Sequence, residues 1–400
     1  MGEEMTSTGL DAMVAEGFRR LRGMRVGAIC NPTSVDRDFV HLADRLATAR
    51  DVKLAALFGP EHGIRGTAQD MIHVEGEAVD ARTGVPVRSL YGPTFESLAP
   101  TPAMLEGLDA LVFDVQDVGA RYYTYVYTMA LCMRAAGRAG LRFFVLDRPN
   151  PIDGVHVEGN AVREPFRSFV GMYDLPARHG MTAGELALLF DELHPPEERC
   201  GPEVVRMSGW DRRREWGATG LPWIPPSPNM PTVDTARVYP GMCLLEGTNL
   251  SEGRGTTRPF ELWGAPFLDP HALAEELRSY RLPGVAFRPC WFEPTFQKHT
   301  RSPCGGVMIH VTDREAFLPV RTGVACLRAA RRLGGDAFRW RTEEYEYRSD
   351  VPAIDLLAGN DELRRGIDEG WSLDRLTEGW LEESRGFLEA RSRHLLYGAP

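Results

Sequence analysis

The sequence predicts an α/β protein: a Rossmann-like domain on a parallel sheet, followed by a smaller C-terminal α+β domain. Short continuous apolar runs alternate with helix-length segments through the first 150 residues, as in a sheet covered on both faces. Each run stops in a polar loop shaped by glycine or proline. The full length of 400 residues exceeds what one hydrophobic core usually serves. The pattern restarts late in the chain, so the division is placed at 272/273, giving 1–272 as the Rossmann-like domain and 273–400 as an auxiliary domain.

Leu10–Leu21 has helical apolar spacing, and Arg25–Cys30 (RVGAIC) is a short apolar strand. Phe39–Ala49 reads as a helix, and Val52–Phe58 as a strand ending at GPEHG. Val87–Tyr91 and Ala110–Phe113 follow as strands, Tyr122–Ala139 as a long helix, and Arg142–Leu146 (RFFVL) as a strand ending at DRPNP. Thr182–His194 is a helix whose Thr182-Ala-Gly-Glu185 opening is a capping box. Further on, His271–Tyr280 and Pro319–Leu333 read as helices and Gly305–Val311 as a strand. Ligands of open parallel sheets bind beyond the carboxyl ends of the strands. Four loops, Asn31–Asp36, Pro60–Gly66, Asp114–Arg121 and Asp147–Asp153, are therefore expected on one rim, as the site.

Composition narrows the partners. Lys+Arg total 46 against 56 Asp+Glu, a net charge of −10, which disfavours binding to nucleic-acid phosphates or an anionic membrane surface. No apolar run approaches a membrane span of about 18 residues. The N-terminal MGEEMTSTGLDAM has no apolar core of a secretory signal, and the 7 cysteines are scattered without a CxxC pair. Both features predict a cytoplasmic protein. HExxH, GxSxG, GxGxxG, a complete P-loop and a Cys/His cluster are all missing, so no metal or cofactor is expected. Nothing in the pattern fixes an oligomeric state.

Glu61 stands between a proline and His62-Gly, directly after a strand. It suits a general acid with a raised pKa, or equally a loop carboxylate bonding backbone amides. His62 beside it suits a hydrogen-bonding or substrate-orienting role. In DVQDVGARYYTYVYT, Asp114, Gln116, Asp117 and Arg121 precede Tyr122 and Tyr125, which share a helix face. Rings that stack on sugar faces, with amides and carboxylates nearby, are what saccharide recognition needs. The competing account is an N-cap at Asp117 and a tyrosine-rich core helix. In DRPNPIDG, Arg148 is a natural fork for a carboxylate, while Asn150 suits either a substrate contact or an Asx turn. Glu158 in VEGN is a weaker catalytic candidate. Glu185 has its capping role. SEGRGTT lacks the Lys-Ser/Thr of a phosphate loop, but its backbone and Arg254 could cradle an anion.

FGPEHGIRG, VFDVQDVGARYYTY, VLDRPNP, GMTAGELA, PPSPNMPT and YPGMCLLEGTNLSEGRGT occur in that order and span most of residues 25–270. Together they resemble the exo-β-N-acetylmuramidase (NamZ-type) family of glycosidases, with CGGVMIHVTD and FLEARSRHLLY a looser match to the chain's end. The resemblance implies a Rossmann-like domain, a smaller C-terminal domain and a cleft between them. It implies release of N-acetylmuramic acid from the non-reducing end of peptidoglycan fragments, the substrate being a muropeptide or amino-sugar saccharide. By motif it makes Glu61 catalytic and leaves Asp117 and Glu158 as candidate partners, with Asp117 also suited to polarising the substrate's acetamide. VEGN stands where relatives tend to read Gly-Pro after the acidic residue. Arg121, Arg148 and Arg254 are candidates for the lactyl carboxylate, and Asn31, Asn229 and Asn249 for substrate-binding amides. Two other readings compete: a non-catalytic muropeptide sensor, and an α/β enzyme acting on a phosphosugar.

Overall fold

The computed structural model describes residues 5–61, 63–64 and 78–398. Seven strands form the first sheet: β1 (Arg25–Cys30), β2 (Lys53–Gly59), β3 (Ala78–Val79), β4 (Pro86–Ser89), β5 (Ala110–Asp114), β6 (Arg142–Leu146) and β7 (Glu203–Val205). Their order is β3-β4-β2-β1-β5-β6-β7, and every pairing is parallel except that of the two-residue edge strand β3. Without β3 this is the doubly wound order, and the chain switches its direction of strand addition between β1 and β5. The register ends there with Cys30 beside Asp114. Loops following β1, β2, β5 and β6 therefore leave the same edge.

Alternation along each strand divides the apolar side chains between two faces. Val26, Ala28, Ala110, Val112, Phe144 and Leu146 pack on one side, with the helices Gly9–Ala15 and Leu42–Thr48. Ile29, Leu111, Phe113, Phe143 and Val145 pack on the other, with the helices Tyr125–Ala139 and Ala183–Leu193. The N-terminal helix is shorter than its apolar spacing suggested, because Gly17 and Phe18 turn the backbone left-handed at φ 59° and 55°. Thr182 and Glu185 form the expected capping box.

A second sheet, β8 (Leu262–Ala265), β9 (Val285–Phe292) and β10 (Cys304–Val311), is antiparallel with β10 in the middle. The helix Pro270–Ser279 packs on it and against Pro319–Gly334, which also carries Val233–Met242 along its length. A division at 272/273 would cut Pro270–Ser279 and part β8 from β10. A division ahead of Val233 keeps both sheets whole. One apolar core nevertheless runs through both units, from Ile29 to Phe387. Among the described residues, no helix is long and apolar enough to cross a membrane.

Candidate active site

Glu61 follows β2 through Gly59 and Pro60 and is only 8% exposed. Thr124 Oγ1 donates to its Oε2 at 3.3 Å. The Tyr125 hydroxyl lies 2.7 Å from the Pro226 carbonyl and 3.4 Å from the Glu61 carbonyl. This ties the β2 loop, the start of the helix Tyr125–Ala139 and the Pro-rich loop together. They border a cavity with about 490 Å³ of empty space, part of it continuous with solvent.

One wall is aromatic. Tyr123 meets Tyr125 edge to face at 5.0 Å and Tyr239 at 5.6 Å, and Tyr239 meets Phe260 at 4.8 Å. Tyr122 also lines the cavity and donates to the Pro240 carbonyl at 2.9 Å. Burial pushes the Tyr122, Tyr123, Tyr125 and Tyr239 phenols upward, so these groups stay neutral.

The ionic part of the lining comes from the C-terminal unit, with Arg254 over the Phe260 ring at 5.1 Å. Arg254 Nη2 bonds Glu246 Oε1 at 2.8 Å, its Nε lies 3.2 Å from Glu252 Oε1, and Tyr345 donates to Glu246 Oε2 at 2.8 Å. Lys298 Nζ reaches Glu252 at 2.9 Å. Burial raises the Glu252 carboxyl, but Lys298 and Arg254 outweigh it and hold the group below its ordinary value. Glu346 completes this part of the lining. It and Tyr347 sit in the left-handed region at φ 47° and 65°, a strained backbone typical of functional sites.

Of the residues expected from the sequence, Glu61, Tyr122, Tyr125, Asn229 and Arg254 meet in this cavity. Asn31 stands behind it, donating to the Pro226 carbonyl at 3.3 Å and accepting from Thr33. His62 lies outside the described residues.

The other expected residues do not line this cavity, and the structure places them among the following partners. Arg148 forms a fork on Asp114 at 2.5 and 2.9 Å, a largely buried pair, with burial raising the Asp114 carboxyl. Gln116 donates to the carbonyls of Asp117 and Pro149. Asp117 does not cap the long helix: it accepts from Gly119 N at 2.7 Å and lies 3.4 Å from His179. Arg121, fully buried, donates to the carbonyls of Asn160, Leu175 and Leu357 at 2.6–2.7 Å. Asn150 joins Met181 O to Ile152 N. Glu158 accepts from Val320 N and Arg321 N at 3.1 and 2.7 Å, so it anchors the start of the helix Pro319–Gly334. Asn249 bonds Ala337 O and Arg339 N, both at 2.9 Å.

The anion cradle expected in SEGRGTT is not formed. Arg254 is matched by two glutamates, and Gly255, at φ 78°, lies so close to the next loop that a Cβ would stand 2.7 Å from Phe296 N. Reading the sequence passed over Glu246, Tyr239, Tyr345 and Glu346. Glu246 and Tyr239 stand within the YPGMCLLEGTNL motif, where an acidic residue beside glycine was a signal to be had. Tyr345 and Glu346 carry no motif. Among the described residues, no group of three or more His, Cys, Asp or Glu side chains is placed to hold a metal ion.

Comparison with known proteins agrees with this architecture. Residues 26–234 match the N-terminal domain of the exo-β-N-acetylmuramidase NamZ family, and residues 237–397 match its C-terminal domain. The chain is 45% identical over 390 residues to the peptidoglycan β-N-acetylmuramidase NamZ of Bacillus subtilis (strain 168), covering 98% of this chain and 91% of that protein. Two solved structures of DUF1343 family proteins from Bacteroides fragilis NCTC 9343 share the fold. One superposes with a TM-score of 0.89 at 35% identity, over 98% of this chain and 99% of the other. The second has a TM-score of 0.78 at 28% identity, over 99% and 100%. With both domains matched in order over nearly the whole length, this chain belongs to the exo-β-N-acetylmuramidase NamZ family.

Proposed function

We propose that this protein is an exo-acting glycosidase that releases β-linked N-acetylmuramic acid from the non-reducing end of peptidoglycan fragments. The observation that carries this reading is the placement of Glu61: a nearly buried carboxylate at the strand ends, lining one cavity with tyrosines and with the Arg254–Glu246 pair. Together with family membership it supports a sugar-cleaving site.

Glu61 acts as the general acid, protonating the glycosidic oxygen as the bond breaks. Glu246, oriented by Arg254 and Tyr345, supplies negative charge opposite the positive charge that develops on the sugar ring. The tyrosines stack on the apolar ring face, and Asn229 serves the polar substituents. A phosphosugar reading finds less support, since Arg254 already faces two carboxylates.

The scattered cysteines support work in a reducing compartment, the cytoplasm, on recycled wall fragments. The test is incubation with a chromogenic β-N-acetylmuramic acid glycoside beside its N-acetylglucosamine analogue. Release from the muramic substrate alone is expected. Binding of the sugar without release from either would instead favour a sensor.

A further inference from the structure

The cavity holding Glu61 has a wider neighbour. Glu246 lines both, and the second encloses about 1380 Å³, part of it open solvent, against about 490 Å³ for the first. Its walls come from the C-terminal unit, chiefly residues 297–299 and 339–343. Trp340 lies there with its indole N–H on Asp368 Oδ2 at 2.9 Å and its ring edge to face with Phe338 at 4.9 Å, so the indole is fixed in place. The Arg339 side chain is at the exposed rim.

The rim turn is strained. Gln297, His299 and Arg301 are all left-handed, at φ 62°, 57° and 58°. Lys298 holds the turn by bonding Glu252 at 2.9 Å and the Leu245 carbonyl at 3.2 Å, and His299 Nε2 lies 2.6 Å from the Asn249 carbonyl. Glu252 is also the partner of Arg254. One chain of ion pairs, Lys298–Glu252–Arg254–Glu246, therefore fixes the geometry of both cavities together.

We infer that the second cavity receives the leaving saccharide, the sugar on the reducing side of the cleaved bond, with Trp340 and Arg339 selecting it. The inference rests on the glycosidase reading above. An exo enzyme encloses one terminal sugar and must give the rest of the chain a continuous way out. The terminal residue is held beside Glu61 in the reading above, and the wider cavity, which shares Glu246 with that site, is the neighbouring space for the remainder. A fixed indole among amides and cations is a saccharide-binding lining: the ring covers an apolar sugar face while the polar groups take hydroxyls and acetamides.

The test uses the full chain, Trp340→Ala, and the exposed change Arg339→Ala. Two substrates are compared, a β-N-acetylmuramic acid aryl glycoside and the β-1,4-linked N-acetylmuramic acid–N-acetylglucosamine disaccharide. The variants are expected to lose roughly ten-fold or more in kcat/KM on the disaccharide while turnover of the aryl glycoside stays near wild type. Retained aryl turnover also shows that the variants fold. Equal losses on both substrates, or no loss on either, would overturn the inference and leave the glycosidase reading intact. A wild-type protein that cleaves neither substrate would overturn both.

Discussion

Arg121 sits fully buried with its guanidinium on three main-chain carbonyls, one of them 236 residues away. Its replacement by methionine strands three acceptors, so we expect a loss of about 3–5 kcal/mol in urea unfolding. KM for a muramic substrate should not move in the molecules that remain folded; a rise in KM with unchanged stability would restore Arg121 to substrate binding. The same residue marks how far a sequence can be read at this scale. An arginine in a polar loop looks alike whether it meets a substrate carboxylate or backbone oxygens. Arg148 and Asp114 hid each other in the same way, each a plausible ligand until paired. Glu61 was legible because its turn, after an apolar strand and between proline and His-Gly, leaves a carboxylate over the strand ends.

Helix packing turns on two glycines. In the helix Pro319–Gly334, a Cβ on Gly323 would lie 2.1 Å from the Gly241 carbonyl of the neighbouring helix. Gly323→Ala gains about 1 kcal/mol in helix propensity. The clash is with backbone, though, and forces the helices apart. We therefore expect net destabilisation of about 1–3 kcal/mol by denaturant titration, whereas a stabilised variant would show that the helices can separate freely. Glu158 acts on the same helix. Glu158→Ala removes the acceptor of two orphan N–H groups and should lower stability by about 1–2 kcal/mol while kcat persists. Loss of kcat in a stably folded E158A protein would return this residue to the chemistry. At this scale the parallel strands were legible because they are continuous apolar runs. β9 was not: VAFRPCWF contains a proline and lies at a sheet edge, half exposed, so it lacks that signature.

The whole molecule is stitched by contacts between distant segments, and these were the least legible. Tyr345 and Glu246 are 99 residues apart, and no local pattern links them. The C-terminal Tyr397 donates to Asp147, 250 residues earlier, at 2.6 Å. Global stability should also depend on pH through His194, which burial and then Arg134 push down to about 4 from 6.5. Below pH 6.5 the unfolded chain takes up a proton that the folded one refuses, so this contribution is lost as pH falls towards 4. His194→Gln should flatten that part of the stability profile, measured as the difference from wild type; parallel profiles would count against it. In the proposed function, a cavity shared by both units uses Glu61 as its acid. Its most direct test is kcat/KM for Glu61→Gln on muramic glycosides whose leaving groups range from an activated dinitrophenolate to a sugar. We predict a loss of about 10²–10⁴-fold for the sugar, which must be protonated to leave, and only a small loss for the dinitrophenolate. An equal loss across the series, or none, would contradict the assignment.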